Sequence, residues 1–480
     1  MSDYRHLYQL IEASFSLEEI RTLCLDLQLE TGVDISYENL AGDTIRRKSQ
    51  ELQEFARRNG ITPELLQVIH NLRPRFDLTK FGGPEPDLSK PDRPVGAEAV
   101  GNGGQDAAPA EPEPPKTVYD NFDITIRPSG TPNAYRIEAK SPNGEASAGA
   151  AQVFPFENDE YQYLAKSLRD VQISETQFAT DMGELLRKFL FPAPIQELFT
   201  TTLNVSRVQG KDGIRVRINI NEESSELYQV PWEYCRDDKN FLSLNADTPL
   251  VRYMPTNRTP SPISVPYPVK ILLAWANPES LDTLDVQSEI AAVKNALAQF
   301  VAEGKVVIDE LENATPTTLV SKVRQNPPHI FHFIGHGALL PNGGGGLALD
   351  NGRKSHVMLD GDRMLRLFQG DDTKLIILSA CQSGATSDKS EKSSSAQAFM
   401  GLAPKLVWGG LPAVVAMQYD LPNAAAQPFM QTLYEFLALG KPLDTAVTEA
   451  RMGLDFAIFE SPYWGIPVLF MRSPDGNIWA

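Results

Sequence analysis

The sequence predicts an α/β protein, a mainly parallel sheet covered by helices, preceded by an α+β region and a small N-terminal helical bundle. Three observations carry the prediction. Six short runs, VKILLAW (269–275), KVVID (305–309), HIFHFI (329–334), KLIILSA (374–380), AVVAM (413–417) and IPVLF (466–470), are β-branched and nearly uninterrupted in apolar residues. Strands buried on both faces of a parallel sheet read this way. Amphipathic stretches such as SEIAAVKNALAQFV lie between several of them, and that alternation layers helices over a sheet. Up to about residue 75, apolar residues recur instead at helical spacing.

Composition sets the bounds. The 480 residues, 42% of them apolar, suffice for two or three domains and a large core. A formal net charge of -18 speaks against a general nucleic-acid binder, because phosphate contacts need clustered Lys and Arg. The three cysteines, Cys24, Cys235 and Cys381, are scattered and show no CxxC spacing, which argues against a disulfide framework or a structural zinc site. The opening MSDYRHLYQL has no basic segment followed by an apolar run. Nor does any apolar stretch reach the roughly 18–20 residues of a spanning helix. The expectation is a cytoplasmic protein without membrane or direct nucleic-acid partners.

Residues 1–76 read as the bundle. Leu7, Leu10 and Ile11 form one stripe, and Ser16 with Glu19 fits a capping box opening a helix that buries Leu17, Ile20, Leu23 and Leu27. A third helix runs from near Asp43 to Gly60 around Ile45, Leu52 and Phe55. A fourth has Thr62 as cap and Pro63 in its first turn, then Leu65, Leu66, Ile69 and Leu72. Residues 12–38 hold seven acidic residues against Arg21 alone, and Arg46, Arg47, Lys48, Arg57 and Arg58 follow. This is either an ordinary solvated surface or two complementary faces suited to stacking with a like domain.

Residues 77–117 are dense in Pro, Gly and Ala and poor in large apolar residues. Such a segment cannot offset its ordering entropy and is expected to act as an unfolded tether. In the accessory region, 118–265, DITI, YRIEA and GIRVRINI alternate as half-buried strands do. The core, 266–480, holds the six buried runs.

Two of those runs end in reactive side chains. HIFHFI leads into Gly335-His336-Gly337, and KLIILSA into Cys381-Gln382-Ser383-Gly384. Ligand sites of open parallel sheets lie at the carboxyl ends of strands. If the two strands are neighbours, an imidazole and a thiol face one crevice. The thiolate is the nucleophile, and the imidazole promotes its formation and then protonates the leaving amine. The flanking glycines would let a substrate backbone approach, and the N–H groups of Gly337 and Cys381 are candidate oxyanion donors. His329, His332 and His336 raise a metal alternative. On a strand, however, His329 and His332 point to opposite faces, and His332 and His336 stand about 13 Å apart. The segment GGLALDNGRKSHVML reads as a hairpin turning at Asn-Gly, with His356 at its edge. Gly343–Gly346 reads as a mobile connector rather than a phosphate loop.

HIFHFIGHG with LSACQSG, the upstream VPWEYCRDDKNFLSLNADTPLVRYMP and the downstream SPYWGIPVLFM resemble the CHAT family of the caspase-hemoglobinase clan, over roughly residues 118–480. That resemblance implies a caspase-like, six-stranded sheet and a His336–Cys381 dyad hydrolysing peptide bonds of a protein substrate through an acyl-enzyme. It also implies no metal or other cofactor in the chemical step. FSLEEIRTLCLDLQLE, YENLAGDTIRRKSQELQEFARRNG and PELLQVIHNLRP resemble bacterial effector-associated domains with a death-like helical fold. These imply an adaptor that recruits proteins bearing a like domain, in defence or regulated cell death. AVVAMQYDLPN resembles the separase segment in which an acidic residue selects Arg or Lys, which would give that role to Asp420. The polar insert 384–395, with Lys389 and Lys392, is a candidate for cutting during activation. A catalytically silent scaffold and a thiol acyltransferase or amidohydrolase remain as other readings.

Overall fold

The fold is that of a computed structural model. It describes residues 7–8, 11, 20, 23–24, 27, 31, 35, 40, 45–59, 61–72, 78–79, 117–169, 176–254, 264–341, 344–368, 370, 372–379, 381–382, 395–473 and 475–477, with the backbone alone at 45–46, 71–72, 176, 222 and 381–382. The chain divides into two compact units, Met1–Ala110 and Glu111–Ala480.

In the first unit, helices Ile45–Asn59 and Thr62–Leu72 contribute Leu52, Ala56, Leu65, Leu66, Val68 and Ile69 to a core that also buries Leu7, Ile11, Ile20, Leu23, Cys24 and Leu27. Phe55 packs against that core only in part. Lys48 departs from the expected basic surface: it is buried, and its ammonium donates to the Leu40 carbonyl at 2.6 Å. Leu10, Leu17, the Ser16–Glu19 box and the acidic stretch lie outside the described residues, as does nearly all of the tether 77–117.

The second unit is built on seventeen strands among the described residues. Its accessory part gives β1 (Tyr119–Pro128), β2 (Ala134–Ser141), β3 (Gly144–Ser147), β4 (Gln152–Val153), β5 (Gly213–Ile220) and β6 (Leu250–Tyr253). The core gives β7 (Val269–Ala276), β8 (Val306–Leu311), β9 (Ile330–Gly335), β10 (Gly337–Leu339), β11 (Gly345–Asp350), β12 (His356–Asp360), β13 (Leu375–Ser379), β14 (Cys381–Gln382), β15 (Ala413–Met417), β16 (Leu421–Pro422) and β17 (Pro467–Met471). The six apolar runs are β7, β8, β9, β13, β15 and β17, and they stand side by side in the order β8-β7-β9-β13-β15-β17. All these pairings are parallel except β15 with β17.

The sheet does not stop at six strands. β17 pairs with β6, parallel, and the order continues through β5, β1, β2 and β3, with β4 on β2, to twelve strands. Two parallel blocks of opposite direction thus meet at the β15–β17 seam. Side chains alternate across the sheet: His332 bonds Glu289 of helix Val286–Ala302 and Tyr434 of helix Asn423–Ala438. Neighbouring Phe331, on the other face, lies 4.8 Å from the Phe368 ring at the end of helix Gly361–Leu367.

A separate three-stranded sheet, β10-β11-β12, stands beyond β9. Its hairpin pairs Asp350 with His356, so five residues turn the chain rather than the two of an Asn-Gly turn. Gly345 and Gly346 are buried within β11 and do not form a connector. A Cβ on Gly345 would lie 1.8 Å from the Ala398 carbonyl oxygen of helix Ser395–Trp408, so the glycine is demanded by a close helix–strand approach.

Candidate active site

β9 and β13 are neighbours in parallel register, Ile334 opposite Ser379. His336 follows Ile334 by two residues and Cys381 follows Ser379 by two. Both residues therefore leave the sheet at one level, at the carboxyl ends of adjacent strands. Cys381 opens β14, whose register partner in β16 is Leu421. Asp420 immediately precedes Leu421, so the backbone brings all three residues to the same rim.

His336 sits in the one-residue break between β9 and β10 and is half-buried. Its carbonyl accepts from the Ala348 N–H at 2.9 Å, tying the turn to β11. Its Nε2 lies 2.7 Å from the Asp282 carbonyl oxygen, in the loop that follows β7. A carbonyl only accepts, so Nε2 carries the proton and Nδ1 keeps its lone pair. Burial pushes the imidazole pKa below its ordinary value, while Asp282, through its carbonyl bond and its charge, opposes the shift, and the neighbouring His356 adds to the lowering. The result favours a neutral ring, the form a general base requires.

Gly337 differs in two ways from the sequence expectation. Its N–H, the candidate oxyanion donor, is engaged by Ser395 Oγ at 3.0 Å. The space its missing side chain leaves is filled by protein, since a Cβ there would lie 2.6 Å from the Phe399 ring. A Cβ on Gly335 would likewise meet the Phe333 ring at 2.7 Å. These glycines serve packing, not substrate approach.

Asp420 is half-buried, and burial raises its pKa, while a hydrogen bond from the Ala396 N–H opposes the shift. Its carboxyl thus lies at the start of helix Ser395–Trp408, where four N–H groups lack helical partners. Residues 384–394 of the polar insert lie outside the described residues.

The three clustered histidines go to three different places. His329 Nδ1 accepts from the Lys270 N–H at 3.1 Å, His332 is buried on Glu289, and His336 is at the rim. Among the described residues, no group of His, Cys, Asp and Glu is arranged to hold a metal ion, and no helix is long and apolar enough to cross a membrane. His356 pairs with Ser280 at 2.9 Å.

Sequence reasoning missed three contributors. Asp282 acts through a main-chain carbonyl, which leaves no trace in residue type. Ser395 looked like the end of a polar insert. Glu289 did carry a signal: an acid on the buried face of an apolar helix.

The known proteins can be set beside this geometry. Residues 180–464, more than half of the chain, match the model of the CHAT domain, and residues 7–74 match that of effector-associated domain 7. No curated protein matches the chain. Among solved structures, it is similar to a chain of the Saccharomyces cerevisiae separase–securin complex at 12% identity and a TM-score of 0.41, over 73% of this chain and 30% of that one. It is also similar to the Arg-specific cysteine proteinase gingipain R (RgpB of Porphyromonas gingivalis), at 13% identity and a TM-score of 0.36, over 67% of this chain and 76% of that one. Caspase-1 from Spodoptera frugiperda is similar at 14% identity and a TM-score of 0.29, over 47% of this chain and 95% of that one. Since the CHAT match spans more than half of the chain, this chain belongs to the CHAT-domain family.

Proposed function

We propose that the chain is a cysteine endopeptidase using His336 and Cys381, that it cleaves after Arg or Lys, and that residues 1–76 recruit it to partners bearing a like domain. The observation that carries the catalytic part is the β9–β13 register, which pairs Ile334 with Ser379 two residues before each reactive group.

With Nε2–H held by the Asp282 carbonyl, Nδ1 of neutral His336 takes the Cys381 thiol proton. The thiolate attacks the scissile carbonyl carbon, and the N–H groups of Cys381 and Gly337 receive the oxyanion once Ser395 yields the latter. The imidazolium then protonates the leaving amine as the C–N bond breaks, giving the acyl-enzyme. A water deprotonated by His336 releases the acid and restores the thiol. Asp420, at this rim, would pair with a guanidinium or ammonium of the substrate. The defence or regulated-death role rests on family analogy.

The test is a peptide-library digest with wild type, Cys381→Ala and Asp420→Ala. Expected are cuts after Arg or Lys that vanish in Cys381→Ala and weaken at least about 10-fold in Asp420→Ala, the scale of losing a buried charged contact. Cleavage that survives Cys381→Ala would refute the dyad, and no turnover at all would favour a scaffold.

A further inference from the structure

We infer that Glu289 is a positioning residue for this site, holding in one register the two strands that bear His336 and Cys381. The inference rests on the proposed dyad. Glu289 stands on helix Val286–Ala302 and is 1% exposed. One carboxyl oxygen lies 3.0 Å from His332 Nε2, and the other accepts from the Ser379 hydroxyl at 2.9 Å. His332 belongs to β9, four residues before His336. Ser379 belongs to β13, two residues before Cys381. A single carboxyl group therefore ties both strands just below the rim.

Two further contacts make this more than a buried polar group finding partners. His332 Nδ1 lies 3.2 Å from the Tyr434 hydroxyl on helix Asn423–Ala438. Burial raises the Tyr434 phenol well above its ordinary pKa, so it remains a hydroxyl and can donate. The ring is then fixed from both nitrogens, with Nε2–H facing Glu289. Helix Val286–Ala302 is also tied to His336 from its N-terminal side. Asp285 caps it through the Ser288 N–H at 3.4 Å, and three residues earlier the Asp282 carbonyl holds His336. One helix thus grips the imidazole through its leading loop and the two strands through Glu289. A shift of that helix would turn His336 relative to Cys381.

Burying a carboxyl group at a position where an aliphatic residue would pack is costly, and a carboxyl with full hydrogen bonding returns geometric definition. Misplacement of reacting groups by about 1 Å costs about 100-fold in rate, so this definition bears on turnover.

The experiment compares the full-length wild type with Glu289→Gln, Glu289→Leu and Ser379→Ala. It reads kcat and KM on a peptide found in the library digest, the pH midpoint for alkylation of Cys381 by iodoacetamide followed by peptide mass spectrometry, and the melting temperature. A Gln keeps the shape but puts an NH2 donor where the carboxylate has an acceptor, so the Ser379 hydroxyl must reverse to accept and the charge-assisted tether is weakened, whereas Ser379→Ala removes it. Expected are kcat lowered by about 10- to 100-fold with KM within about twofold, and the Cys381 alkylation midpoint moved upward as its imidazole is misplaced. These changes should appear in Ser379→Ala and Glu289→Gln even where the melting temperature is retained. A lowered melting temperature with unchanged kcat and an unchanged alkylation midpoint would overturn the inference and leave a structural network only. If the wild type cleaves nothing in a Cys381-dependent way, the peptidase reading fails. The alkylation profile still decides on Glu289, because it reads the thiol without substrate.

Discussion

Gly337 has two close neighbours, the first of which requires a glycine there. Its absent side chain admits Phe399, and its N–H reaches Ser395 Oγ, which also lies 3.3 Å from the Gly337 carbonyl oxygen. The serine begins the helix that follows the polar insert. An oxyanion at the Gly337 N–H must compete with that hydroxyl. Ser395→Ala should therefore raise basal kcat on an Arg or Lys peptide by about 3- to 10-fold, part of the 100- to 1000-fold that a whole oxyanion donor is worth. Initial rates on a fluorogenic peptide check this, and a fall in kcat would assign Ser395 to support rather than to competition. At this scale the sequence was legible where residue type and position coincide. GHG and SACQSG stand at the ends of apolar runs, and the fold brings those ends together. It was illegible where a contact uses the backbone, as at Asp282. It misled where the filler of a space comes from far along the chain: Phe399 lies some sixty residues beyond Gly337.

Among the elements, the splice of β6 onto β17 decides the size of the sheet, and Arg252 secures it. Arg252 is buried on β6 and donates to Glu233 at 3.0 Å, to the Tyr228 carbonyl at 2.6 Å and to Gln418 Oε1 at 3.1 Å. Gln418 donates in turn to Glu233 at 3.0 Å and to the Gly465 carbonyl at 2.6 Å. One network thus joins the accessory strands, the segment leading to Asp420 and the closing strand. Tyr234, beside Glu233, adds a hydrogen bond to the Pro462 carbonyl at 2.7 Å, and its ring occupies the space a Cβ on Gly465 would need. Breaking a buried pair from one side leaves its partner charge uncompensated, so Arg252→Ala should cost about 3–5 kcal/mol of stability, read by urea denaturation. A loss below about 1 kcal/mol, the range of exposed pairs, would deny the network its role. The alternation of GIRVRINI and the density of the six runs announced strands correctly, because burial leaves a periodic record. Which strand lies beside which leaves none. VRYM carries no mark that its neighbour is more than two hundred residues away, so the twelve-stranded continuity was not readable.

For the whole molecule, the proposed function assigns catalysis and recruitment to different units. Every partner named above for His336, Asp420 and Glu289 belongs to Glu111–Ala480, which also holds the whole twelve-stranded sheet. The first unit has a core of its own, drawn from Leu7 to Leu78. Sites with no shared partners act additively to within a few tenths of a kcal/mol. A chain lacking residues 1–110 should therefore cleave a short Arg or Lys peptide with kcat/KM within about twofold of the full chain. The same truncation should abolish capture of a second protein that bears a like N-terminal domain. Parallel peptide kinetics and co-sedimentation of the two forms separate these effects. Lost peptide cleavage in the truncated chain, with an unchanged melting transition, would mean that the first unit contributes to the chemistry and is not confined to recruitment.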